Sequence, residues 1–515
     1  MRASSIVLTI VLSCLASLSS DASERLTILH TNDVHGHLRP FSYPEIALRD
    51  SRITDLPARR DIGGIARRAT LAARVRADLA KQGTPVWLVD AGDFYFFSPF
   101  SFEYQGLADV IAMNRAGYDF ATLGNHEFED SPAQLRRLIA GARFDFLCAN
   151  VADSATGRPL TKRFEVRQVG AARVGVFGLV PTSAGQKPAA KDGLAVEDAF
   201  TVAPAVVAQL RGPEKADIVV LISHLGVDND RRLAREVPGI DVIVGGHSHT
   251  RLPQGETVGW SGELRPDEVN GTVLVQSGQR GGELGRLDLL LEKNAAGQWR
   301  VGRYQASLIP VTSKTPDEPA VAAVLDSLWA PYATKYGEVI GTATADFADR
   351  GDDAAQINLI ADAVRAEFGV EVELENLGGV FHPIVTGPVT RAMLADLDQR
   401  QFTIVTFRMR GSELRRFVER SRPVGSGLRY RMFCGKLEDI TVGGAPLDDA
   451  RVYSCAANSS LAGRLDGFEV LEKRDTKRLR SDLVIDAIRK ARTITPVYDG
   501  RRVVIETLRP VAPSE

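Results

Sequence analysis

The sequence predicts an α/β protein, and three observations carry this prediction. Between Leu26 and Leu291, short apolar runs alternate with segments of helical periodicity, which is the pattern of a layered α/β domain. Polar residues with metal-ligating side chains directly follow several of these runs, as expected where open sheets build their sites. Beyond Gly337 another α/β mixture with glycine-rich turns begins, which indicates a second domain.

Length and composition set the first limits on function. The chain has 515 residues, of which 44% are hydrophobic and 25% are charged. These values fit two to four globular domains and exclude a disordered polymer or a disulfide-stapled miniprotein. With 63 basic and 65 acidic residues the formal charge is −2, so the chain lacks the basic excess of proteins that bind a nucleic-acid polymer.

Residues 1–22 have the pattern of a secretory signal segment. Arg2 precedes the apolar run Ile6–Leu12, and small residues lead to a cleavage position near Ala22. A second interpretation places a lipoprotein-type box just before Cys14, which would then carry a lipid anchor. Both interpretations predict export to a periplasmic or extracellular location. No other segment is long and apolar enough to be a transmembrane span.

Apolar runs and helical periodicity define the elements of the first domain. The predicted strands are Leu26–His30, Val86–Asp90, Phe120–Leu123, Phe146–Ala149, Val174–Leu179, Ile218–Ile222, Val242–Val244 and Val273–Gln276. The predicted helices are Ile65–Leu79, Leu107–Met113, Ala133–Ile139 and Ala203–Leu210. Such alternation favours parallel strands with helices packed on the sheets.

A linker helix separates the two predicted domains. The stretch Thr315–Tyr336 opens with acidic residues and continues with an apolar stripe at helical spacing. The predicted organisation is a first domain at 24–310, a linker at 311–336, a second domain at 337–505 and a tail at 506–515. Three cysteines remain beyond Cys14, and Cys434 and Cys455 either pair or stay separate thiols.

Five short motifs, each directly after a predicted strand, carry the candidate chemistry. They are Asp33-Val34-His35, Gly92-Asp93, Gly124-Asn125-His126-Glu127, His224, and Gly245-Gly246-His247-Ser248-His249. Each motif alone is weak evidence, but clustered His and Asp sets at strand ends indicate a site. Nitrogen and oxygen donors without thiolate suit first-row divalent metals. A bridging carboxylate would place two such ions ~3.5–4 Å apart.

These motifs resemble those of the 5′-nucleotidase family of calcineurin-like metallophosphoesterases. The matching segments are Ile28–Gly36, Asp90–Asp93, Gly124–Phe128, Ser223–Gly226 and Gly246–Thr250. The resemblance covers nearly all of the chain after the signal segment. It implies a four-layer α/β/β/α sandwich, followed by a linker helix and a smaller α+β domain that binds substrate.

The resemblance also implies a role for each motif residue. Two divalent ions such as zinc or manganese are expected, and they would supply a metal-bound hydroxide. The implied ligands are Asp33, His35, Asp93 and His249 for one ion, and Asp93, Asn125, His224 and His247 for the other. His126 corresponds to the catalytic histidine. Glu129 stands where the family usually has the aspartate that orients this histidine.

The second domain matches the family less closely. The implied substrate-binding residues are Arg350, Asn376, Gly378, Gly379 and Asp466, but Phe381 replaces a substrate-facing arginine of the family. Where the family stacks a nucleobase between two rings, the best register places Ile404 and Ser460, which cannot stack. The nearby aromatic residues either substitute for these rings or pack in the core, and they are Phe402, Phe407, Tyr430 and Phe433.

The sequence therefore predicts an exported dimetal hydrolase whose partner is a small phosphoester, either a nucleoside 5′-monophosphate or a related nucleotide. One alternative keeps the dimetal site but acts on a non-nucleotide substrate, as thiosulfohydrolases of this fold do. Another is a non-catalytic exported binding protein, which the complete ligand set disfavours.

Overall fold

The computed structural model describes residues 23–43, 56, 58–259, 269, 271–348, 351, 353–377, 384–395 and 401–505. Several predictions fall outside these residues. They concern the signal segment 1–22 with Cys14, the tail 506–515, and the residues Arg350, Gly378, Gly379 and Phe381.

Within the described chain, six strands form a first sheet with a parallel centre. Their order across the sheet is Trp299–Pro310, Glu283–Lys293, Ser23–Thr31, Val86–Asp90, Phe120–Ala121 and Asp145–Phe146. The last four strands pair in parallel, and the first two pair antiparallel. The carboxyl ends of the parallel strands consequently share one edge.

A second sheet of the same construction lies against the first. The described strands run in the order Glu256–Val258, Thr272–Val275, Val242–Gly245, Ile218–Ser223, Ala172–Leu179 and Phe164–Val169. Its four central strands are parallel. A small separate ribbon pairs Val151–Asp153 with Leu194–Val196.

Alternating side chains along the strands build the layers. In the first sheet Trp87 and Val89 face the apolar core between the sheets, whereas Leu88 faces the helices on the outer side. This is the two-residue period of a strand that is buried on both faces. The helices outside the first sheet are Ile65–Ala80, Leu107–Ala116 and Pro132–Gly141, and those outside the second are Ala199–Arg211 and Val227–Glu236. The predicted α/β/β/α sandwich is confirmed.

The linker consists of short helical pieces rather than one helix. A helix spans Pro319–Trp329, a 3₁₀ turn spans Ala330–Tyr332, and a last turn spans Ala333–Gly337. Proline within the 3₁₀ turn has no backbone N–H, so the regular helix ends before it. Val321 and Leu325 face the helical layer of the first domain, which fixes the linker there.

The remainder of the chain forms the predicted α+β domain. Its central sheet has the order Val424–Ser426, Val372–Glu375, Val452–Asn458, Thr403–Arg410 and Val470–Leu479. Smaller sheets contain Ala445–Pro446, Lys436–Val442, Leu428–Phe433 and Arg502–Ile505, and Gly387–Thr390, Val339–Ala343 and Thr493–Ile494. The longer helices are Ala355–Phe368, Gly411–Ser421 and Arg480–Ala491.

Two other sequence questions are answered for the described residues. Cys434 and Cys455 are separate free thiols, as is Cys148. Among the helices that the structure describes, none is both long and apolar enough to cross a bilayer.

Candidate metal centre

The predicted ligands meet at the edge where the carboxyl ends of both sheets converge. Donor atoms lie within 4.8 Å of one another in three groups: Asp33 with His35 and His249, Asp93 with His224 and His247, and His35 with Asp93 and His126. The first two groups each combine residues from both sheets. Asp93 and His35 each belong to two of the groups, so the three groups form one continuous cluster.

Distances within the groups are those of side chains facing a common centre. Nε2 of His249 lies 3.2 Å from Nε2 of His35 and 3.3 Å from Oδ1 of Asp33. Nε2 of His224 lies 3.0 Å from Oδ2 of Asp93 and 3.9 Å from Oδ1 of Asp33. The Nε2 atoms of His35 and His249 face each other at hydrogen-bonding distance, and imidazole nitrogens placed together in this way can ligate one cation.

The backbone at the ligands is unusual. Asp33, His35, Asp93, His247 and His249 all have positive φ, between 49° and 71°. Residues other than glycine rarely adopt this left-handed conformation, and it concentrates at functional sites. Hydrogen bonds between the loops hold it: the amide of Asp33 donates to Gly92 O at 2.9 Å, and that of His35 donates to Asp93 O at 2.9 Å.

Asn32 connects the two sheets beneath the ligands. Its side-chain amide donates to Oδ2 of Asp33 at 2.7 Å and to Gly278 O at 2.6 Å. Its carbonyl oxygen accepts from the backbone N–H and hydroxyl of Ser277. Ala91 O accepts from Nδ1 of His224 at 2.6 Å, which leaves Nε2 of this ring for the cluster.

The donor set fits divalent cations. Within the described part of the chain, Oδ1 of Asn125 is buried without a hydrogen-bond partner, which is costly unless another group satisfies it. Burial would raise the pKa of Asp93, but His224 and His126 hold it well below its usual range. Burial would lower the pKa of His224, but Asp93 and Asp33 raise it to about 10. The carboxylates are thus anionic and attract a cation.

His126 lies beside the ligand cluster in an aromatic setting. Its ring stacks on Phe96 at a centroid distance of 5.2 Å and meets the edge of Phe97 at 5.0 Å. Its Nδ1 lies 3.0 Å from Oε1 of Glu129, so the longer glutamate reaches the histidine. Sequence reasoning missed the two phenylalanines, although the aromatic run that follows Asp93 was the available signal.

Glu127 is a further supporting residue that the sequence did not single out. Its buried carboxylate accepts from the amides of Asp93 at 3.0 Å, Phe94 at 3.0 Å and Gly124 at 2.5 Å. One side chain thereby ties together the loops that carry Asp93 and Asn125. Its position beside His126 in the motif was the only sequence signal.

The structure describes Asn376 and Asp466 among the substrate residues predicted in the second domain, and neither belongs to the donor groups of the metal centre. Oδ1 of Asn376 accepts from Nδ2 of Asn458 at 2.7 Å, and Asp466 is exposed. Ile404 is fully buried and Ser460 is exposed, so neither position offers a ring. Of the candidate substitutes, Phe407 and Tyr430 pack in the core, whereas Phe402 and Phe433 are half-buried.

A cavity of about 380 Å³ lies between the two domains. It adjoins Gly36, the residue after His35, and is lined by both domains and by Trp329 of the linker. Asn376 and Asp466 do not line it.

Comparison with known proteins identifies the family of each of the two domains. The model of calcineurin-like phosphoesterases matches residues 26–251, and that of the 5′-nucleotidase C-terminal domain matches residues 339–473. The chain belongs to the 5′-nucleotidase family of calcineurin-like phosphoesterases. It is accordingly a metal-dependent phosphoester hydrolase.

Individual relatives of this family cover most of the chain. A 5′-nucleotidase of Vibrio cholerae is 27% identical, with 87% of this chain and 86% of the relative aligned. The structure of a 5′-nucleotidase precursor from Thermus thermophilus is 26% identical, covers 94% of this chain and 100% of its own, and has a TM-score of 0.79. The sulfate thiohydrolase SoxB of Thermus thermophilus, at 21% identity, 94% and 97% coverage and a TM-score of 0.77, shares the fold.

Glu127 accepts hydrogen bonds from three backbone amides, an arrangement called here the Glu127 clamp. Its contribution to the stability of this phosphoesterase can be tested. Glu127→Gln should lower the free energy of unfolding of the metal-free protein by about 1–3 kcal/mol, because the new amide N–H would face backbone N–H groups. Urea unfolding measures the change. Glu236→Gln is the control, since its exposed ion pair with Arg232 contributes little to stability. Equal losses in both variants would contradict the clamp.

Proposed function

We propose that this protein is an exported dimetal phosphoesterase that hydrolyses nucleoside 5′-monophosphates or related nucleotide phosphoesters. The observation that carries the proposal is the pair of donor groups at the shared sheet edge, Asp33 with His35 and His249 and Asp93 with His224 and His247, with His126 beside them. The relatives named 5′-nucleotidase, at 26–27% identity over most of the chain, support a nucleotide substrate.

The proposal assigns four ligands to each metal position, and the two positions share Asp93. Asp33, His35, Asp93 and His249 hold one ion, and Asp93, Asn125, His224 and His247 hold the other. When bound, two divalent cations lower the pKa of water and neutralise phosphoryl oxygens. The strained loops contribute by holding the donors in place before substrate arrives, which suits phosphoryl transfer because this chemistry depends mainly on positioning.

His126 supplies the protein's own acid–base function in this proposal. Glu129 accepts from Nδ1 of His126, which leaves Nε2 to donate to the leaving oxygen or to a phosphoryl oxygen. Phe96 covers one face of the ring and limits its rotation. His126 is therefore the catalytic residue, and Glu129 orients it.

The second domain supplies substrate selectivity in the same proposal. Asn376 and Asp466 are the described residues assigned to it, together with Arg350, Gly378 and Gly379 outside the described residues. Export rests on residues 1–22, with cleavage near Ala22 or lipidation at Cys14 as the two routes. Mass spectrometry of the mature N-terminus distinguishes these routes, and an intact N-terminus in the cytoplasm would contradict export.

Phosphate release from a panel of nucleotides and aryl phosphates, with and without Mn²⁺ or Zn²⁺, tests the function. We expect metal-dependent hydrolysis of AMP with a weakened KM, because no ring stands at Ile404 or Ser460. Loss of stacking and of one charged hydrogen bond weakens binding by roughly one to three decades. A low-micromolar KM for AMP would show that side chains other than those at positions 404 and 460 bind the nucleoside. No phosphate release from any ester would overturn the proposal, and sulfate release from a thiosulfonate would favour the thiosulfohydrolase alternative.

Asp466 provides the test of the second domain. Asp466→Ala should raise KM for AMP about tenfold or more, because a charge-assisted hydrogen bond contributes ~1.5–3 kcal/mol. Hydrolysis of p-nitrophenyl phosphate should change less than about twofold. Glu469→Ala removes a nearby exposed carboxylate and serves as the control. Equal losses on both substrates would contradict a role in selectivity.

A further inference from the structure

Besides His126, Glu129 contacts a lysine from a loop that the sequence motifs do not include. Oε1 of Glu129 lies 3.0 Å from Nδ1 of His126 and 2.5 Å from Nζ of Lys187. Lys187 follows the strand Ala172–Leu179 of the second sheet, so its loop leaves the same sheet edge as the metal-ligand loops. One carboxylate oxygen thus joins the predicted catalytic histidine to a lysine from a different part of the fold.

We propose that Lys187 is a positioning residue for His126 and acts through Glu129; this inference rests on the proposed function. A glutamate has three side-chain torsions, and an unanchored one would lose considerable rotamer freedom on meeting the imidazole. The lysine provides the anchor at Oε1, the same carboxylate oxygen that faces the histidine. The carboxylate is then already in place before substrate binds, and it holds Nδ1 as the protonated nitrogen of the ring.

The surroundings distinguish this contact from an ordinary surface ion pair. The side chains of His126 and Glu129 are only 15% and 17% exposed, and that of Lys187 is 29% exposed. The backbone of Lys187 is fixed as well, because its amide donates to Ala184 O and its carbonyl accepts from Ala190 and Lys191. Burial would raise the pKa of Glu129, but the bonds from His126 and Lys187 lower it, which agrees with an ionised carboxylate.

The effect of losing the Lys187 anchor on the rate of hydrolysis should depend on the leaving group. In Lys187→Met we expect kcat for AMP to fall about tenfold, which is a fraction of the ~10²–10⁴ that proton transfer contributes. Hydrolysis of p-nitrophenyl phosphate should fall less than about twofold, because nitrophenolate leaves without a proton. KM should stay unchanged for both substrates. Lys187→Arg should recover most of the activity, and Lys191→Met, four residues along and exposed, should behave as wild type.

A spectroscopic readout tests the same idea without turnover. In the ¹⁵N-histidine-labelled full-length protein, wild-type His126 should be the Nδ1–H tautomer, and Lys187→Met should show a tautomer mixture. In a Glu129→Gln background the lysine substitution should change neither kcat nor the tautomer. A rise in KM, an equal loss on both esters, or a persistent effect beside Glu129→Gln would overturn the inference. If the wild-type protein shows the expected His126 tautomer but hydrolyses no phosphoester, the result would instead contradict the proposed function.

Discussion

Asp93→Asn should remove metal and activity together while the fold survives. Asparagine keeps one oxygen, which can still accept from the amide of His126 as Oδ1 of Asp93 does at 2.8 Å. It loses the negative charge and the second oxygen that face the imidazole of His224. Changes outside a ligand set already cost ~10–100-fold in metal affinity, so loss of a shared ligand should exceed about a hundredfold. Elemental analysis and calorimetric titration with Zn²⁺ measure this.

Asp130→Asn is the matched control for Asp93→Asn. Asp130 follows the same motif region and accepts from the hydroxyl of Tyr95 at 3.0 Å, but it belongs to none of the donor groups. The Asp130→Asn variant should retain both ions and most of the activity. Two tightly held ions in Asp93→Asn would show that Asp93 is not the bridge.

His126→Ala should show the opposite pattern, with both ions retained and kcat reduced. Removal of one positioned donor typically costs ~10²–10³ in kcat. KM should change little, because the contact contributes mainly in the transition state. Single-turnover kinetics together with metal analysis measure both effects on the same preparation.

The metal content of His126→Ala decides between two roles for this histidine. Its ring also shares a donor group with His35 and Asp93, so a direct role in metal binding is the competing explanation. Loss of one ion would establish that role and contradict the catalytic one. A smaller decrease with p-nitrophenyl phosphate than with AMP would assign His126 to protonation of the leaving oxygen.

The metal centre was the most predictable part of the molecule. A strand end followed by Asp, His or Asn is a local pattern, and parallel strands necessarily bring such ends to one edge. Asp33 and Asp93 follow strands of one sheet and could therefore be grouped without knowing how the sheets pack, whereas His224 follows a strand of the other sheet. The predicted strands at Phe120–Leu123 and Phe146–Ala149 were too long, because pairing ends at Ala121 and Phe146.

Features that depend on distant contacts were not predictable in this way. The long antiparallel strands Glu283–Lys293 and Trp299–Pro310 were missed although they extend the first sheet. Glu127 and Lys187 matter only because the fold brings amides or a carboxylate to them, and nothing in their own neighbourhood signals this. The helix Val227–Glu236 was missed because its polar face dominates its composition.

Two of the three donor groups combine residues from both sheets, and this arrangement links the metal centre to the apolar layer between those sheets. A small sliding of one sheet over the other would move His249 relative to Asp33, and His224 relative to Asp93, without changing any residue at the site. Side chains such as Trp87 and Val220, buried between the sheets, thus set the spacing of the two ions from a distance. Substitutions in the intersheet layer should therefore change the geometry of the donor atoms without altering any residue at the site.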